Sequence, residues 1–363
     1  MIFNLDPILA AAQPGDTIQL ERGLYTTLGC NTNPTPDGQP LKPGVKLIGQ
    51  GDQTVILSIR PMDESQPDSS VILGTGDNVI ENLVVDCGVT LVPKRKRNGI
   101  YCREKGNTIK GVTVLRPHGV WAPEFRESFG LCVQLDDPTS SILNCSVLEP
   151  IGNYQTMIQG HTVTGCRVIG DYRTRDELGF RMAYNIGKSK DSLLSNSFAA
   201  YVTSAVYADT SLDGATIIDC DFHAVKHGLY LNAMQPTDPT QALRTFKRVT
   251  FKGNSVYLDN TRAGASGVIM EHIHEAGAVT TKNCICDVLI TENNFEVLPG
   301  ALAGDIYAAN VGSQTPLSDV SETLGISKVR FLENKVDPRM KFRNARGCAD
   351  ITGTITQQIK FDA

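Results

Sequence analysis

The chain has 363 residues, with 34 Lys and Arg against 39 Asp and Glu, which gives a formal net charge of −5. Nucleic-acid binding needs a basic surface, so this balance argues against nucleic acid as a partner. No apolar run approaches the roughly 20 residues that a membrane-spanning helix requires, and we predict no membrane segment. The 33 glycines, with abundant Asn, Asp, Val, Ile and Thr, are typical of short strands separated by tight turns.

The first residues predict a capping helix. Asp6 is placed to cap it, Pro7 suits its first turn, and the Pro-Gly pair at 14–15 would end it. Such a helix would cover an otherwise open sheet edge. The same residues lack a basic n-region, and Asp6-Pro7 interrupts the apolar stretch, so no signal peptide is predicted. Localisation stays open: cytoplasmic, or extracellular or virion-associated if a leader was trimmed or export follows another route.

A short motif recurs along the chain: an apolar residue, any residue, then Asn, Gly or Asp, then Cys, Asn or a small residue. We take as equivalent Leu83, Val112, Cys145, Cys166, Ser197, Cys220, Asn254, Asn294 and Asn334. Their separations of 21 to 40 residues fit a fixed unit with variable insertions, which is typical of a solenoid. Because three cysteines share this position, we expect most of the ten cysteines to be reduced and to pack as small apolar groups.

The segments AAAQPGDTIQLERGLYTT (10–27) and LKPGVKLIGQGDQTVI (41–56) resemble the start of the pectin-lyase-like superfamily, and the repeats from Leu83 to Asn334 extend the resemblance over most of the chain. The resemblance implies an all-β fold: a single-stranded right-handed parallel β-helix with a short N-terminal capping helix. We expect one domain over 1–363, with the cap and first coils in 1–60, repeated coils in 61–345 and a C-terminal end in 346–363.

That superfamily includes polysaccharide lyases, glycoside hydrolases, sugar epimerases, fructotransferases and phage tailspikes, so the fold does not choose a function. The motifs typical of polygalacturonases, of the best-known pectate lyases and of alginate epimerases are missing from this sequence.

A second ladder of strands lies between copies of the first motif. Its members alternate with a period of two, so one set of side chains points into the coil and the other points outward. The predicted inward pairs are Ile100/Cys102, Leu131/Val133, Phe180/Met182, Val206/Ala208, Leu229/Leu231, Val268/Met270 and Ile306/Ala308. The predicted outward set is Tyr101, Arg103, Gln134, Gln159, Arg181, Tyr207, Asp209, Tyr230, Asn232, Glu271 and Tyr307.

Since stacked coils lie about 4.8 Å apart, the outward set would form a continuous surface of rings, cations and acids. Such a surface suits a polysaccharide, whose sugar faces stack on Tyr while hydroxyls and carboxylates meet polar groups. We therefore expect substrate binding by Tyr101, Arg103, Gln134, Gln159, Tyr207, Tyr230, Asn232 and Tyr307. The alternative is a solvated sheet face with Tyr chosen for its strand propensity.

The candidate catalytic residues are Arg181, Lys226, His227, Glu271 and Asp209. In a lyase acting on uronic acids, a base removes the C5 proton while cations neutralise the sugar carboxylate. Asp209 and Glu271 could instead serve a glycoside hydrolase or transglycosylase, although two coils would separate them by about 10 Å, well beyond the spacing of retaining enzymes. Asp136-Asp137 forms a second acidic pair, or a turn before Pro138.

No cofactor is expected. Extended alternation in Glu271-His272-Ile273-His274-Glu275 would place its acids and histidines on opposite faces, which argues against a metal site. Calcium binding stays open as an alternative, without a specific signature in the sequence. The leading hypothesis is a polysaccharide lyase that cleaves an acidic polysaccharide by β-elimination. The alternatives are a hydrolase or transglycosylase on the same face, or a non-catalytic glycan-binding β-helix such as a phage tailspike. A monomer and a homotrimer both fit.

Overall fold

The computed structural model describes residues 1–31, 38–61, 68–89, 96–119, 128–152, 154–170, 180–208, 210–235, 244–274, 284–312, 326–344 and 349–354. These residues belong to two compact units, Met1–Asn185 (the N-terminal unit) and Ile186–Ala363 (the C-terminal unit). The single domain over 1–363 stays a prediction. Within the described ranges, no helix is long and apolar enough to cross a membrane.

The described part of the N-terminal unit contains one α-helix, α1 (Asp6–Ala11), one short 3₁₀ helix (Gly51–Gln53) and strands β1 to β21. The strands are β1 (Ile2–Asn4), β2 (Thr17–Gln19), β3 (Gly23–Thr27), β4 (Cys30–Asn31), β5 (Lys46–Ile48), β6 (Thr54–Ser58), β7 (Ser69–Gly74), β8 (Val79–Glu81), β9 (Val84–Asp86), β10 (Arg97–Cys102), β11 (Thr108–Lys110), β12 (Thr113–Leu115), β13 (His118–Gly119), β14 (Ser128–Cys132), β15 (Ser141–Leu143), β16 (Ser146–Leu148), β17 (Ile151–Gly152), β18 (Tyr154–Gln159), β19 (Thr162–Thr164), β20 (Arg167–Ile169) and β21 (Phe180–Asn185).

The described part of the C-terminal unit contains strands β22 to β39. They are β22 (Ser189–Lys190), β23 (Leu193–Ser195), β24 (Phe198–Ala200), β25 (Ser204–Ala208), β26 (Leu212–Asp213), β27 (Thr216–Ile218), β28 (Asp221–Val225), β29 (His227–Gln235), β30 (Phe246–Lys252), β31 (Ser255–Leu258), β32 (Ser266–His274), β33 (Ile285–Thr291), β34 (Asn294–Val297), β35 (Tyr307–Gly312), β36 (Ile326–Leu332), β37 (Lys335–Val336), β38 (Lys341–Asn344) and β39 (Ala349–Thr354).

The described strands of each unit form three sheets, which we call A, B and C. In the N-terminal unit the orders are β1-β3-β6-β9-β12-β16-β20 for sheet A, β2-β5-β8-β11-β15-β19 for sheet B and β17-β13-β10-β14-β18-β21 for sheet C. In the C-terminal unit they are β24-β28-β31-β34-β37, β23-β27-β30-β33-β36-β39 and β25-β29-β32-β35-β38. Strands that are neighbours in these orders pair in parallel, with the exception of β10 and β13. That pair is antiparallel, and so is the pair of β4 and β7, which stands outside these orders. One strand per sheet and coil is the arrangement of a parallel β-helix.

From β8 onward, a two-residue turn joins each main sheet B strand to the next sheet A strand. Its first residue has φ between 48° and 66°, a left-handed conformation that favours Gly, Asn and Asp; these residues are Asn82, Gly111, Asn144, Gly165, Asn196, Asp219, Gly253, Glu292 and Glu333. The second residue is at most 2% exposed, and the set is Leu83, Val112, Cys145, Cys166, Ser197, Cys220, Asn254, Asn293 and Asn334. The turn explains the recurring motif. One alignment was wrong: Asn293, not Asn294, is the equivalent residue.

Asparagine side chains connect these turns in the C-terminal unit. The Asn293 Oδ1 atom accepts hydrogen bonds from the backbone N and the Nδ2 of Asn254, both at 2.9 Å, and Asn334 Oδ1 accepts the same two bonds from Asn293 at 2.9 Å. Each coil therefore holds its neighbour through a buried amide.

Apolar side chains fill the coil interior. In the C-terminal unit Phe222, Phe251, Phe295 and Phe331 stack with successive centroid distances of 6.4, 6.4 and 5.7 Å. Among the described cysteines none forms a disulfide, and all except Cys286 are buried, as expected for interior thiols.

Helix α1 confirms the predicted cap helix, but Asp6 does not cap it. Leu5 is the N-cap residue and makes no side-chain cap hydrogen bond. The Asp6 carboxylate instead accepts hydrogen bonds from Thr27 Oγ1 at 2.5 Å and from the Leu28 backbone N at 3.2 Å. Asp6 therefore ties the helix to the end of β3.

Candidate functional site

In sheet C strands, two consecutive residues point into the coil. The strict alternation of inward and outward residues expected from sequence is therefore interrupted. In β29 a Cβ added to Gly228 would lie 2.9 Å from Cγ1 of the core residue Val256, and the next residue, Leu229, is fully buried. The flanking residues His227 and Tyr230 consequently face the same side, with ring centroids 5.4 Å apart in an edge-on arrangement.

Three columns of outward residues result in the C-terminal unit, and together we call them the outer face. Register places Ser204, His227 and Ser266 in the first column, Tyr207, Tyr230, Ile269 and Asn310 in the second, and Asn232 and Glu271 in the third. The strand pairing thus brings together four predicted site residues that lie far apart in sequence: Tyr207, Tyr230, Asn232 and Glu271.

Two hydrogen bonds organise the centre of the outer face. The Tyr230 hydroxyl donates to Glu271 Oε2, and Asn232 Nδ2 donates to the Tyr207 hydroxyl at 3.0 Å. The two tyrosine rings meet edge to face with centroids 5.2 Å apart. All four side chains are buried, and Glu271 is only 4% exposed.

Several polar atoms around this centre have no hydrogen-bond partner within the described ranges. They are Ser204 Oγ, His227 Nδ1 and Asn232 Oδ1. A buried polar atom without a partner costs about 1–3 kcal/mol. Three unpartnered buried polar atoms on one face therefore lower the stability of the fold, which points to a role other than folding.

The surroundings shift the titration of this cluster. Burial first, and then the charges of Lys226 and Arg262, lower the pKa of His227 to about 3, so its ring is neutral at neutral pH. Burial raises the pKa of Tyr230 well above its usual range, and the Glu271 carboxylate raises it further. Tyr230 is therefore a protonated phenol that donates to a carboxylate.

The N-terminal unit carries a smaller set of the predicted residues. Tyr101, Cys132, Gln159 and Asn185 follow one another in register, with Gln159 Nε2 donating to Cys132 Sγ at 3.3 Å. The Gln134 amide donates to the backbone carbonyl of Arg103. This column is polar and partly exposed. It includes no carboxylate, so the acid–base cluster of the C-terminal unit is the stronger candidate for chemistry.

Comparisons with known proteins support the architecture. No protein-family model and no curated protein sequence matches the chain. Among solved structures, a tailspike protein mutant of E. coli bacteriophage HK620 in complex with a pentasaccharide matches with a TM-score of 0.61 and 14% identity, over 95% of this chain and 65% of that chain. A second HK620 tailspike complex gives a TM-score of 0.58 and 13% identity, over 92% and 62%. The Azotobacter vinelandii mannuronan C-5 epimerase AlgE4 A-module gives a TM-score of 0.52 and 13% identity, over 98% and 92%.

The chain is a right-handed parallel β-helix of the pectin-lyase-like fold. The chain spans less than two thirds of the length of the tailspike chains, and identities this low carry the fold alone.

Two predicted residues occupy other places in this β-helix. Arg181 pairs with Gln155, four residues before Asn185, which takes the position beside Gln159; the Arg181 guanidinium donates from Nε to the Gly152 carbonyl at 3.1 Å. The inward residue at the end of β21 is thus Tyr184, which pairs with Ile158 and is fully buried, and the predicted pair Phe180/Met182 lies earlier in the strand.

Tyr307 is likewise misplaced by the sequence alignment. It pairs with Ser266, and Ala309 pairs with Val268, so Asn310 continues the tyrosine column. The inward pair is Ala309 and Val311, not Ile306 and Ala308. A small residue before the first inward apolar residue, as in Ala183-Tyr184 and Ala308-Ala309, was the sequence signal for both registers.

Three further predictions from the sequence concern Asp209, the segment that begins at Glu271, and Asp137. Asp209 lies outside the described residues. Strand β32 stays paired with β29 through His274, so the segment from Glu271 is extended as predicted, and no group of three His, Cys, Asp or Glu within the described ranges could hold a metal ion. Asp137 belongs to a turn, where it accepts hydrogen bonds from Thr139 and from the Gly106 backbone.

Proposed function

We propose that this protein binds an acidic polysaccharide along the outer face of the C-terminal unit and cleaves it by β-elimination at Glu271 and Tyr230. The observation that carries the proposal is the buried Tyr230–Glu271 pair on the outside of the coil. Burying a carboxylate is costly, and a solenoid needs no such group on an outer sheet face, so a chemical role accounts for it better than a structural one.

The surrounding atoms fit a polyuronate. The unpartnered acceptor Asn232 Oδ1 suits a sugar hydroxyl, and Ser204 Oγ and His227 Nδ1 offer further contacts. Lys226, whose charge acts on His227, supplies a positive field for a sugar carboxylate. Hydrolysis would require two carboxylates, and Glu271 is the one carboxylate in the three columns as far as the structure describes them.

The elimination then follows from the hydrogen bond already in place. As the C5 proton of the uronate passes to the Tyr230 oxygen, the phenolic proton passes to Glu271. The C4–O bond breaks and a C4–C5 double bond forms. Glu271 returns its proton through Tyr230 to the leaving oxygen, so both residues end as they began. Because the pKa of Tyr230 is raised, its phenol stays protonated. Tyr230 can therefore accept the C5 proton only when Glu271 takes the phenolic proton.

The test is digestion of a panel of polyuronates, followed at the absorbance of the unsaturated product. We expect Glu271→Gln and Tyr230→Phe to lower turnover by about 10²- to 10⁴-fold while the circular dichroism spectrum is retained. Glu296→Gln and Tyr257→Phe are matched controls, because both residues lie on sheet A of the same unit and are partly exposed. New reducing ends without the absorbance would replace elimination by hydrolysis. No cleavage of any acidic glycan would refute both.

A second candidate is glycan binding without cleavage, as part of a virion-associated or extracellular spike. The match to tailspike proteins in complex with a pentasaccharide supports it. It predicts a stable trimer in light scattering, binding to intact polysaccharide, and a graded loss of affinity in the Glu271 variant instead of a loss of turnover.

A further inference from the structure

Polar side chains in the first column of the outer face are almost completely buried. Strand register places His227 between Ser204 and Ser266. Both serines are fully buried, and His227 is 6% exposed. Ser266 Oγ donates to the Gly264 carbonyl at 3.1 Å, but Ser204 Oγ and His227 Nδ1 have no hydrogen-bond partner among the described residues. The column therefore has two unused hydrogen-bonding atoms on neighbouring strands.

The three side chains of this column carry no charge at neutral pH. The serines are hydroxyls, and burial, followed by the charges of Lys226 and Arg262, lowers the pKa of His227 to about 3. A hydroxyl both donates and accepts a hydrogen bond, and a neutral imidazole has one nitrogen that donates and one that accepts. The column therefore suits the N–H and hydroxyl groups of an uncharged sugar.

One apolar side chain lies beside this column. Ile269 pairs with Tyr230, and earlier in the same two strands Ser266 pairs with His227, so these four residues form the corners of one patch on β29 and β32. The rings of His227 and Tyr230 are 5.4 Å apart. Ile269 is 5% exposed and continues the column of Tyr207 and Tyr230. It gives an apolar contact next to the polar atoms of His227.

We propose that His227 and Ile269 bind the acetamido group of an N-acetylated sugar, and that the substrate is a polymer in which uronates alternate with N-acetylhexosamines. The acetamido N–H would donate to His227 Nδ1, and its methyl group would pack on Ile269. A ring hydroxyl of the same sugar would pair with Ser204 Oγ. A second uronate at this place would offer neither the N–H nor the methyl group.

This inference rests on the elimination proposed for Tyr230 and Glu271, and it names the substrate class of that site. The first column adjoins Tyr230, so the sugar that it binds is the neighbour of the uronate whose C5 proton is removed. In an alternating polymer that neighbour always carries the acetamido group. Each repeat of the polymer thus presents its charged sugar to Glu271 and its neutral sugar to His227.

The test compares kcat/KM values, measured at the absorbance of the unsaturated product. The alternating probes are hyaluronan and unsulfated chondroitin, and the homopolyuronate probes are polygalacturonate and alginate. We expect the better alternating polymer to exceed the better homopolyuronate at least about 10²-fold, because a site that hydrogen-bonds a substrate group discriminates strongly against substrates without it. Replacing its N-acetyl groups by N-formyl groups should lower kcat/KM about fourfold, the effect of one buried methyl group.

A pair of isoleucine variants tests the methyl contact. Ile269→Ala should abolish the fourfold difference between the N-acetyl and N-formyl polymers. Ile218→Ala is the matched control, because Ile218 ends β27 on sheet B of the same unit and is partly exposed; it should keep the fourfold difference. An unchanged difference in Ile269→Ala would overturn the proposed contact.

Saturation-transfer NMR of the Glu271→Gln variant gives a measurement that needs no cleavage. With tetrasaccharides of the two alternating polymers, we expect the strongest saturation on the acetamido methyl group, and its loss when Ile269→Ala is added. An acetamido methyl group without saturation would overturn the inference. Cleavage of a homopolyuronate with an equal or higher kcat/KM would overturn it too and leave the elimination standing. Methyl saturation without cleavage of any polymer would refute the elimination and support the acetamido site.

Discussion

Replacing Asn293 by Ala tests the asparagine ladder of the C-terminal unit. Its side chain makes four hydrogen bonds: Oδ1 accepts from the backbone N and Nδ2 of Asn254, and Nδ2 donates to the Phe251 carbonyl at 2.8 Å and to Asn334 Oδ1 at 2.9 Å. At about 1 kcal/mol net for each bond, Asn293→Ala should lower the free energy of unfolding by about 4 kcal/mol. Urea denaturation followed by far-UV circular dichroism measures this loss.

The adjacent residue provides the control. Asn294 is partly exposed, and its Nδ2 donates to Glu296 at 2.8 Å in a part-buried hydrogen bond. Its Oδ1 has no partner among the described residues, so the substitution removes this one hydrogen bond. Asn294→Ala should change the free energy of unfolding by no more than about 0.5 kcal/mol, as for ordinary surface substitutions. Equal losses in the two variants would refute the ladder and the register that places Asn293 inside the coil.

Three further predictions concern the core, acid stability and the outer face. Phe295→Ala removes a fully buried ring from the phenylalanine stack and should cost about 3–5 kcal/mol in urea unfolding; a cost under about 1 kcal/mol would contradict the packing. Burial alone would raise the pKa of Asp137, but hydrogen bonds from Ser140 and other donors outweigh it and lower the pKa. The stabilisation that ionised Asp137 gives the fold is therefore complete above the unfolded pKa of about 3.9 and is lost as the pH falls through the lower folded pKa. The difference in unfolding free energy between wild type and Asp137→Asn should shrink on acidification. A difference that grows would contradict this. The ring of His227, with a pKa of about 3, should show no NMR titration between about pH 5 and 8, where an ordinary histidine has its midpoint.

The turns between sheets B and A could be predicted from sequence because their chemistry is local. A left-handed residue favours Gly, Asn or Asp, which occupy this position in every turn of the set except those at Glu292 and Glu333. The buried residue that follows is small, apolar or an amide that bonds to its neighbours, so most repeats carry both signals. The shift from Asn294 to Asn293 arose because two asparagines stand side by side there, and only the backbone conformation distinguishes them.

The register of sheet C was harder to predict because two inward residues follow one another in each strand. Alternation with a period of two places Arg181 and Tyr307 correctly as outward residues, but it cannot assign them to a column. Insertions of variable length precede both strands, so their alignment depends on the small residue that marks the inward pair. Strand pairing shows that Asn185 and Asn310 hold the expected positions.

The contacts of the candidate site depend on side-chain directions between coils. Sequence reasoning selected Tyr230 and Glu271 separately, as a binding residue and a catalytic residue, and did not predict that one donates a hydrogen bond to the other. Their 41-residue separation carries no signal of contact until the strands are paired.

A crystal structure of the Glu271→Gln variant soaked with an acidic oligosaccharide tests the central claim most directly. We expect sugar rings against Tyr207 and Tyr230, a hydrogen bond to Asn232 Oδ1, and the C5 atom of one uronate next to the Tyr230 hydroxyl. An oligosaccharide bound elsewhere on the chain, with Tyr230 and residue 271 still buried and untouched, would contradict it.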